Sequence, residues 1–229
     1  MTSYRYIKGP TRAIASGHFL LYTWPMPKAI LFDADGVVLK KQKEYFSVRF
    51  ARDYGAPLDE VTDFFKNKYR ECQDGKADLK EELKELLPKW GWDKGTDAFL
   101  EYWFTTDVEV DKEVMKVIAT YRSKGVKCYL ATDQEKYRAE YLRRRLDLNN
   151  QFDGLFFSYE LGAGKSEPKF FEQILHRLDI PAGEIAYRDD DKKNVEVAKA
   201  LGIEAKFYER MFDLNIESKE SQIPKIQNI

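Results

Sequence analysis

The chain has 229 residues, of which 43% are apolar and 34% charged, and its formal net charge is −1. That size and balance suit one α/β domain carrying a smaller insertion, and exclude a protein drawn by its overall field to nucleic acid or an anionic membrane. Two well-separated cysteines, Cys72 and Cys128, and two histidines, His18 and His176, exclude a disulfide scaffold, a structural zinc site and a histidine-rich metal centre.

Residues 1–27 mix Arg5, Lys8, Pro10, Arg12, Gly17, Pro25 and Pro27 with a short aromatic patch and hold no sustained periodicity. The globular pattern starts abruptly at Lys28. Two accounts of this segment stand side by side: an extension ahead of a start at Met26, or a flexible natural tail. Its apolar run, residues 19–24, is shorter than a signal-peptide core of about 7–15 residues, and nothing approaches the ~20 apolar residues that span a bilayer. A cytoplasmic protein with no membrane association is expected.

Residues 29–33 form an apolar run ending in an acid, the pattern of a buried strand opening into a polar loop. Residues 42–106 contain no comparable strand. Helices are predicted there over 43–54, stopped by Gly55, over 58–72 after Pro57, over 78–87 between Asp74-Gly75 and Pro88, and over 96–104. Their many aromatic residues read mainly as the core of a small bundle.

The alternating rhythm then resumes. A helix is predicted over 112–124, with Val114, Val117, Ile118 and Tyr121 on one face and Gly125 as its stop. A strand follows over 126–131, with Cys128 as a small core residue, then a helix over 135–146 with Asp133 as its cap. Further strands are expected over 154–159, 184–187 and 203–207, and helices over 168–178, with His176 on the surface, and 194–201. Residues 213–229 read as a polar, loosely held tail. Strands alternating with helices indicate a parallel sheet covered on both faces. The division is therefore an α/β core over 28–41 and 107–212, with a helical cap over 42–106.

In such sheets the ligand site lies beyond the carboxyl ends of the strands. Four strands deliver polar residues there: Asp33 and Asp35, then Thr132, then Lys165, then Asp189 to Asp191. Each alone has a plain reading, as an acidic turn, a helix cap, a surface lysine (with Lys169 as a rival) or a charged helix start. Four such strand ends in one plane point instead to a site, and three adjacent acids to a bound cation.

The run Asp33-Ala34-Asp35-Gly36-Val37-Val38 resembles the first motif of the haloacid dehalogenase (HAD) superfamily in its phosphatase form. Thr132 in Leu130-Ala131-Thr132-Asp133-Gln134 is similar to the second, and Gly164-Lys165-Ser166-Glu167-Pro168 to the third. Asp189-Asp190-Asp191-Lys192-Lys193-Asn194-Val195 resembles the fourth, and the likeness spans roughly residues 29–208. The resemblance implies a Rossmann-like parallel sheet with an α-helical cap inserted between the first two motifs. It implies magnesium held by Asp33, the backbone carbonyl of Asp35 and the Asp190 side chain, with Asp189 behind them.

Asp33 would then be the nucleophile that becomes an aspartyl phosphate, and Asp35 the general acid and base. Lys165 would supply a fixed cation and Thr132 a hydrogen bond to the phosphoryl group. The expected activity is magnesium-dependent hydrolysis of a small phosphorylated metabolite. Haloacid dehalogenases themselves lack the second aspartate, so Asp35 favours phosphate chemistry.

Lys40, Lys41 and Lys43 read either as an attractor for anionic substrate or as a solvated hinge. Two positions depart from the pattern. Arg188 stands where an apolar residue is common, which predicts a fourth strand ending early, and Asp191 replaces a small hydroxyl residue. Three alternatives remain. A phosphomutase is disfavoured by Tyr45 near the position of a hinge histidine. A phospho-accepting signalling module is disfavoured by the large insertion, and a non-catalytic binding protein has no need of Asp35.

Overall fold

The computed structural model describes residues 26–209. His18, the apolar run 19–24 and the tail 213–229 lie outside the described residues, as does all but the end of the 1–27 extension.

Strand β1 (Ala29–Phe32) is four apolar residues, all fully buried. A strand without polar alternation belongs at the centre of a sheet covered on both faces, and β1 takes that place. With β2 (Lys127–Thr132), β3 (Gly154–Phe157), β4 (Ile185–Asp189) and β5 (Glu204–Phe207) it forms a five-stranded sheet in the order β3-β2-β1-β4-β5. Every pair is parallel. Phe32 lies opposite Leu130 on one side and Arg188 on the other, so the chain leaves β1, β2 and β4 at one edge of the sheet.

Between β1 and β2 come α1 (Phe46–Tyr54), α2 (Leu58–Asp63), a π-turn at Phe64–Lys68, α3 (Tyr69–Gln73), α4 (Leu79–Lys84) and α5 (Gly95–Asp107). The helix expected over 58–72 is thus continuous but carries a π-turn at its middle. These helices enclose an aromatic core of their own: Phe46 stacks on Trp103 at 5.2 Å and meets Phe99 edge-on at 5.5 Å, while Phe50 meets Phe99 at 5.0 Å. Each such pair adds about 0.5–1.5 kcal/mol beyond the area it buries. Far from its two connections, this helical segment is tied to the sheet's loops by polar contacts. Arg70 pairs with Asp133 at 2.9 Å, Ser158 donates to the Gln73 carbonyl at 2.6 Å, and the Tyr137 hydroxyl donates to Asp78 at 2.7 Å.

The chain then runs through α6 (Lys112–Ser123), α7 (Lys136–Arg145), α8 (Leu148–Gln151), α9 (Ser158–Leu161), α10 (Pro168–Leu178) and α11 (Lys192–Ala200). Successive side chains of β1 divide between two faces. Ile30 and Phe32 pack with Val114, Ile118 and Leu142 of α6 and α7; Ala29 and Leu31 pack with Phe170, Ile174 and Val195 of α10 and α11. Among the described residues no helix is long and apolar enough to cross a membrane.

Three expectations need correction. The fourth strand does not stop before Arg188: it continues through Asp189, and Arg188 is fully buried in the sheet. Its guanidinium is satisfied there, donating to the Tyr187 carbonyl at 2.8 Å and to the Glu204 carboxylate at 3.2 Å. The third strand ends at Phe157, because Ser158 turns away to bond Gln73 and to accept from the Gln134 amide N–H at 3.0 Å. Asp133 does not cap α7; Glu135 does, accepting from the backbone N–H groups of Tyr137 and Arg138 at 2.7 and 2.5 Å.

Burial pushes the Glu135 carboxyl up to about 7, against the two N–H donors that favour its anion. A carboxyl raised in the folded state binds its proton more readily there than in the unfolded chain. Its contribution to stability is therefore present at low pH and declines as pH rises from about 4.5 to about 7. Glu135→Gln keeps a cap acceptor and removes the titration. Urea unfolding is expected to show wild type losing on the order of 2 kcal/mol relative to this variant across that window; parallel stability curves would contradict it.

Candidate active site

Asp33 follows β1 directly, and its amide continues the sheet by donating to the Arg188 carbonyl at 3.0 Å. The carboxylate is buried. Lys165, in the loop between α9 and α10, places its ammonium 2.6 Å from Asp33 Oδ1 and 2.8 Å from Asp189 Oδ2. Asp189, the last residue of β4, also accepts from the Tyr187 hydroxyl and from the Asn194 amide at 3.2 Å. Tyr187 and Asp189 are two apart on a strand and so share a face. Asp190 follows, partly exposed, and pairs with Lys41 at 2.9 Å. Lys40 pairs instead with Glu109, and Lys43 is exposed.

Burial pushes Asp33 well above the ordinary carboxylate range; the Lys165 charge opposes this and neighbouring Asp189 adds to it. For Lys165, burial works to lower the pKa, but the charges of Asp33 and Asp189 outweigh it and keep the ammonium more basic than usual. Burial, with Asp189 next to it, likewise holds Tyr187 protonated far above the normal phenol range.

Asp33, Asp189 and Asp190 each offer a carboxylate oxygen within 4.8 Å of the others. This all-oxygen donor set, with carboxylates that repel one another, fits a hard divalent cation such as magnesium. Asp191 is not part of it: its carboxylate caps α11, accepting from Lys193 N–H at 2.8 Å. Gly36 makes the close approach possible. It has φ +83°, and a Cβ there would lie 2.3 Å from Asp190 Oδ2. If the three carboxylates hold magnesium, Gly36→Ala is expected to weaken its binding about 10-fold, since shifting the Asp190 carboxylate by a fraction of an ångström would cost on the order of 1.4 kcal/mol. The thermal midpoint titrated against magnesium reads this, and an unchanged midpoint curve would refute it.

Thr132 is the buried last residue of β2, and its hydroxyl accepts from the Gln134 side-chain amide at 3.2 Å. Asp35 stands apart from the other acids. Its side chain is 50% exposed, yet both carboxylate oxygens are held by Arg138, each at 2.7 Å, and Oδ2 also accepts from Gln134 at 2.8 Å. Loss of water works to raise the Asp35 pKa, but the Arg138 charge and these hydrogen bonds outweigh it and hold the carboxyl below its ordinary range.

Sequence reasoning missed Arg138, Gln134, Tyr187 and Asn194. Gln134 lies just ahead of the Glu135 cap, outside α7, so helical spacing does not pair it with Arg138 and the sequence carried no signal for that contact. His176 is exposed on α10. A separate groove of about 770 Å³ lies between α4, α5 and α7, with Leu100, Phe104, Tyr137 and Tyr141 in its wall. It includes none of these carboxylates, and Lys80 and Arg145 at its rim are paired with Asp97 and Glu101.

A sequence model described as haloacid dehalogenase-like hydrolase matches residues 27–202. A phosphorylated carbohydrates phosphatase of Thermotoga maritima is 30% identical over 186 residues, 77% of this chain and 82% of that one. A D-ribitol-5-phosphate phosphatase of Bacteroides thetaiotaomicron is 25% identical over 187 residues, 78% of this chain and 90% of that one. Among solved structures, a HAD family enzyme from Bacteroides thetaiotaomicron in a magnesium complex superposes with a TM-score of 0.68 at 18% identity, covering 80% of this chain and 93% of its own. That last likeness is one of fold.

Proposed function

The chain belongs to the haloacid dehalogenase-like hydrolase family and is an enzyme of its phosphatase type, and from this premise we propose that it hydrolyses phosphate monoesters of small carbohydrates or polyols with magnesium. One observation carries the reading: the Lys165 ammonium lies between the carboxylates of Asp33 and Asp189, with Asp190 within reach of both. Relatives acting on phosphorylated carbohydrates and on D-ribitol 5-phosphate support the substrate class. The helical segment between β1 and β2 is read as the cap, and a cytoplasmic setting belongs to the same reading.

Magnesium, held by Asp33, Asp190 and the Asp35 backbone carbonyl with Asp189 behind them, would neutralise charge between the phosphoryl group and the nucleophile. Asp33 Oδ attacks phosphorus, and the ester P–O bond breaks as the Asp33 O–P bond forms. Arg138 and Gln134 favour the Asp35 anion, so the proton it delivers to the departing alkoxide is one taken up as the phosphate dianion approaches, and its release restores the carboxylate. It then takes a proton from water, whose oxygen attacks phosphorus and displaces the Asp33 carboxylate, releasing inorganic phosphate. Lys165 orients Asp33 and faces the charge on the phosphoryl oxygens, and Thr132 donates its hydroxyl hydrogen to one of them. Tyr187 and Asn194 hold Asp189, so that this carboxylate keeps its position without substrate.

Tyr45, near the hinge position where mutases carry a histidine, is 82% exposed and offers no comparable proton relay. The test is phosphate release from a panel of sugar, polyol, nucleotide and aryl phosphates, with and without magnesium, alongside a search for isomerised sugar phosphate. Magnesium-dependent phosphate release led by sugar or polyol phosphates is expected. Isomerisation without net release, or no release from any ester, would overturn the reading.

A further inference from the structure

We propose that Arg138 is a positioning residue whose guanidinium fixes the carboxyl of Asp35 in the orientation from which it exchanges a proton with the ester oxygen and with water. This deepens the reading above and rests on it. Asp35 sits in a short loop whose backbone bridges Leu39, and half of its side chain faces solvent. Such a carboxylate ordinarily rotates among several orientations. Here Arg138 reaches back from the first turn of α7 and donates one N–H from each terminal nitrogen to a different oxygen, both at 2.7 Å. A planar fork on a carboxylate fixes its rotation as well as its place, which a point charge cannot do.

Gln134 closes the arrangement into a ring. Its amide oxygen accepts from Arg138 at 2.6 Å, and its NH₂ donates to Asp35 at 2.8 Å and to Thr132 at 3.2 Å. The Asp35 carboxyl is thereby linked to the hydroxyl assigned to the phosphoryl group.

Burial is distributed unequally in this pair. The Arg138 side chain is 7% exposed against 50% for Asp35, so the cation is the immobile member and the acid the open one. Arg138 Nε is also buried with no hydrogen-bond partner. Burying a guanidinium with one N–H unsatisfied costs stability, and a well-packed apolar side chain would serve the fold better. The arrangement makes sense if what it secures is the exposed acid.

The experiment compares wild type, Arg138→Lys, Arg138→Met, Asp35→Asn and the double variant Asp35→Asn/Arg138→Lys on two kinds of ester. p-Nitrophenyl phosphate releases a phenolate that needs no proton, whereas a sugar or polyol phosphate releases an alkoxide that does. With p-nitrophenyl phosphate, rapid-quench kinetics of Arg138→Lys should retain the stoichiometric burst of nitrophenolate. Its steady-state turnover, which includes hydrolysis of the phosphoenzyme, should fall about 30-fold. With the alkyl ester both phases should slow by about 30–100-fold at nearly constant KM, at or below the lower end of the roughly 10²–10⁴-fold of general acid–base catalysis, because the acid is misplaced rather than removed. Arg138→Met should show the same pattern, and the double variant should be no slower than Asp35→Asn, because the two residues act as one unit.

Equal slowing of the nitrophenolate burst and of turnover, a loss confined to KM, or additive losses in the double variant would overturn the proposal. So would a Lys variant that fails to fold, since that assigns Arg138 to the scaffold. Wild type inert on both esters, like Asp33→Asn, would instead bring down the phosphatase reading, an outcome distinct from failure of the Arg138 variants alone.

Discussion

Asp33→Asn is expected to lose magnesium-dependent phosphate release by at least about 10³-fold while remaining folded, the loss typical of removing a nucleophile. Asparagine has the shape of aspartate, and its amide oxygen can still accept the Ala34 N–H that Asp33 Oδ1 accepts at 2.7 Å. What disappears is the oxygen anion proposed as the nucleophile. Stability without metal should hold or rise slightly, because the substitution removes a buried carboxylate that burial and Asp189 both disfavour. Lys165 keeps Asp189 as its partner. Magnesium should raise the thermal midpoint of wild type more than that of the variant, which lacks one of the carboxylates proposed to hold it. Scanning calorimetry with and without magnesium, beside a phosphate assay, reads both effects. A variant keeping more than about a tenth of wild-type turnover would remove Asp33 from the nucleophile's role.

Lys165→Met should combine a large kinetic loss with a large structural one. The buried ammonium is shared by two buried carboxylates, and removing one member of a buried ionic group costs about 3–5 kcal/mol, because the remaining charges are left uncompensated. That cost applies to the metal-free protein at neutral pH. It should shrink as pH falls and Asp33 takes up a proton, since burial already pushes this carboxyl above the usual range. Magnesium should restore part of the stability by supplying another positive charge to the same oxygens. Turnover should still fall on the order of 10³-fold, the scale of losing a fixed charge aimed at the reacting group. Urea denaturation at about pH 5 and pH 8, with and without magnesium, separates these contributions. Equal stability of wild type and variant at pH 8 without metal would contradict the account.

The order of strands and helices was legible because most β segments open on or contain a short apolar run, β5 with its alternating Glu204-Ala205-Lys206-Phe207 being the exception, and the helices between them carry an apolar face. Residues 29–32 show this most plainly: four apolar residues in succession read as a buried strand, and the assembled sheet then places β1 at its centre. Errors arose where a polar side chain found its partner far along the chain. Arg188 reads as a strand terminator until Glu204 of the neighbouring strand supplies its counter-charge. Asp133 reads as a helix cap until Arg70, from the helical segment, and the Lys165 amide claim its carboxylate. Ser158 reads as strand until Gln73 captures its hydroxyl.

For the site, residue types and strand-end positions sufficed to name Asp33, Asp35, Thr132, Lys165 and Asp189 to Asp191 as candidates, because parallel strands must deliver their carboxyl ends to one edge. Which acids share a cation, and which residue orients which, depended on tertiary structure. Asp189, Asp190 and Asp191 are consecutive acids in sequence. In space the first is bound by Lys165, the second by Lys41, and the third by the amide of α11 that it caps. Arg138 is one of several arginines in α7, and only folding brings it across 103 residues to Asp35. Hydrophobic periodicity is a local property, written into neighbouring residues, and it determined the parallel sheet and the edge that collects the polar strand ends. Pairing between charges depends on distances that exist only once the sheet is assembled, so the division of labour among the carboxylates was left to the tertiary structure.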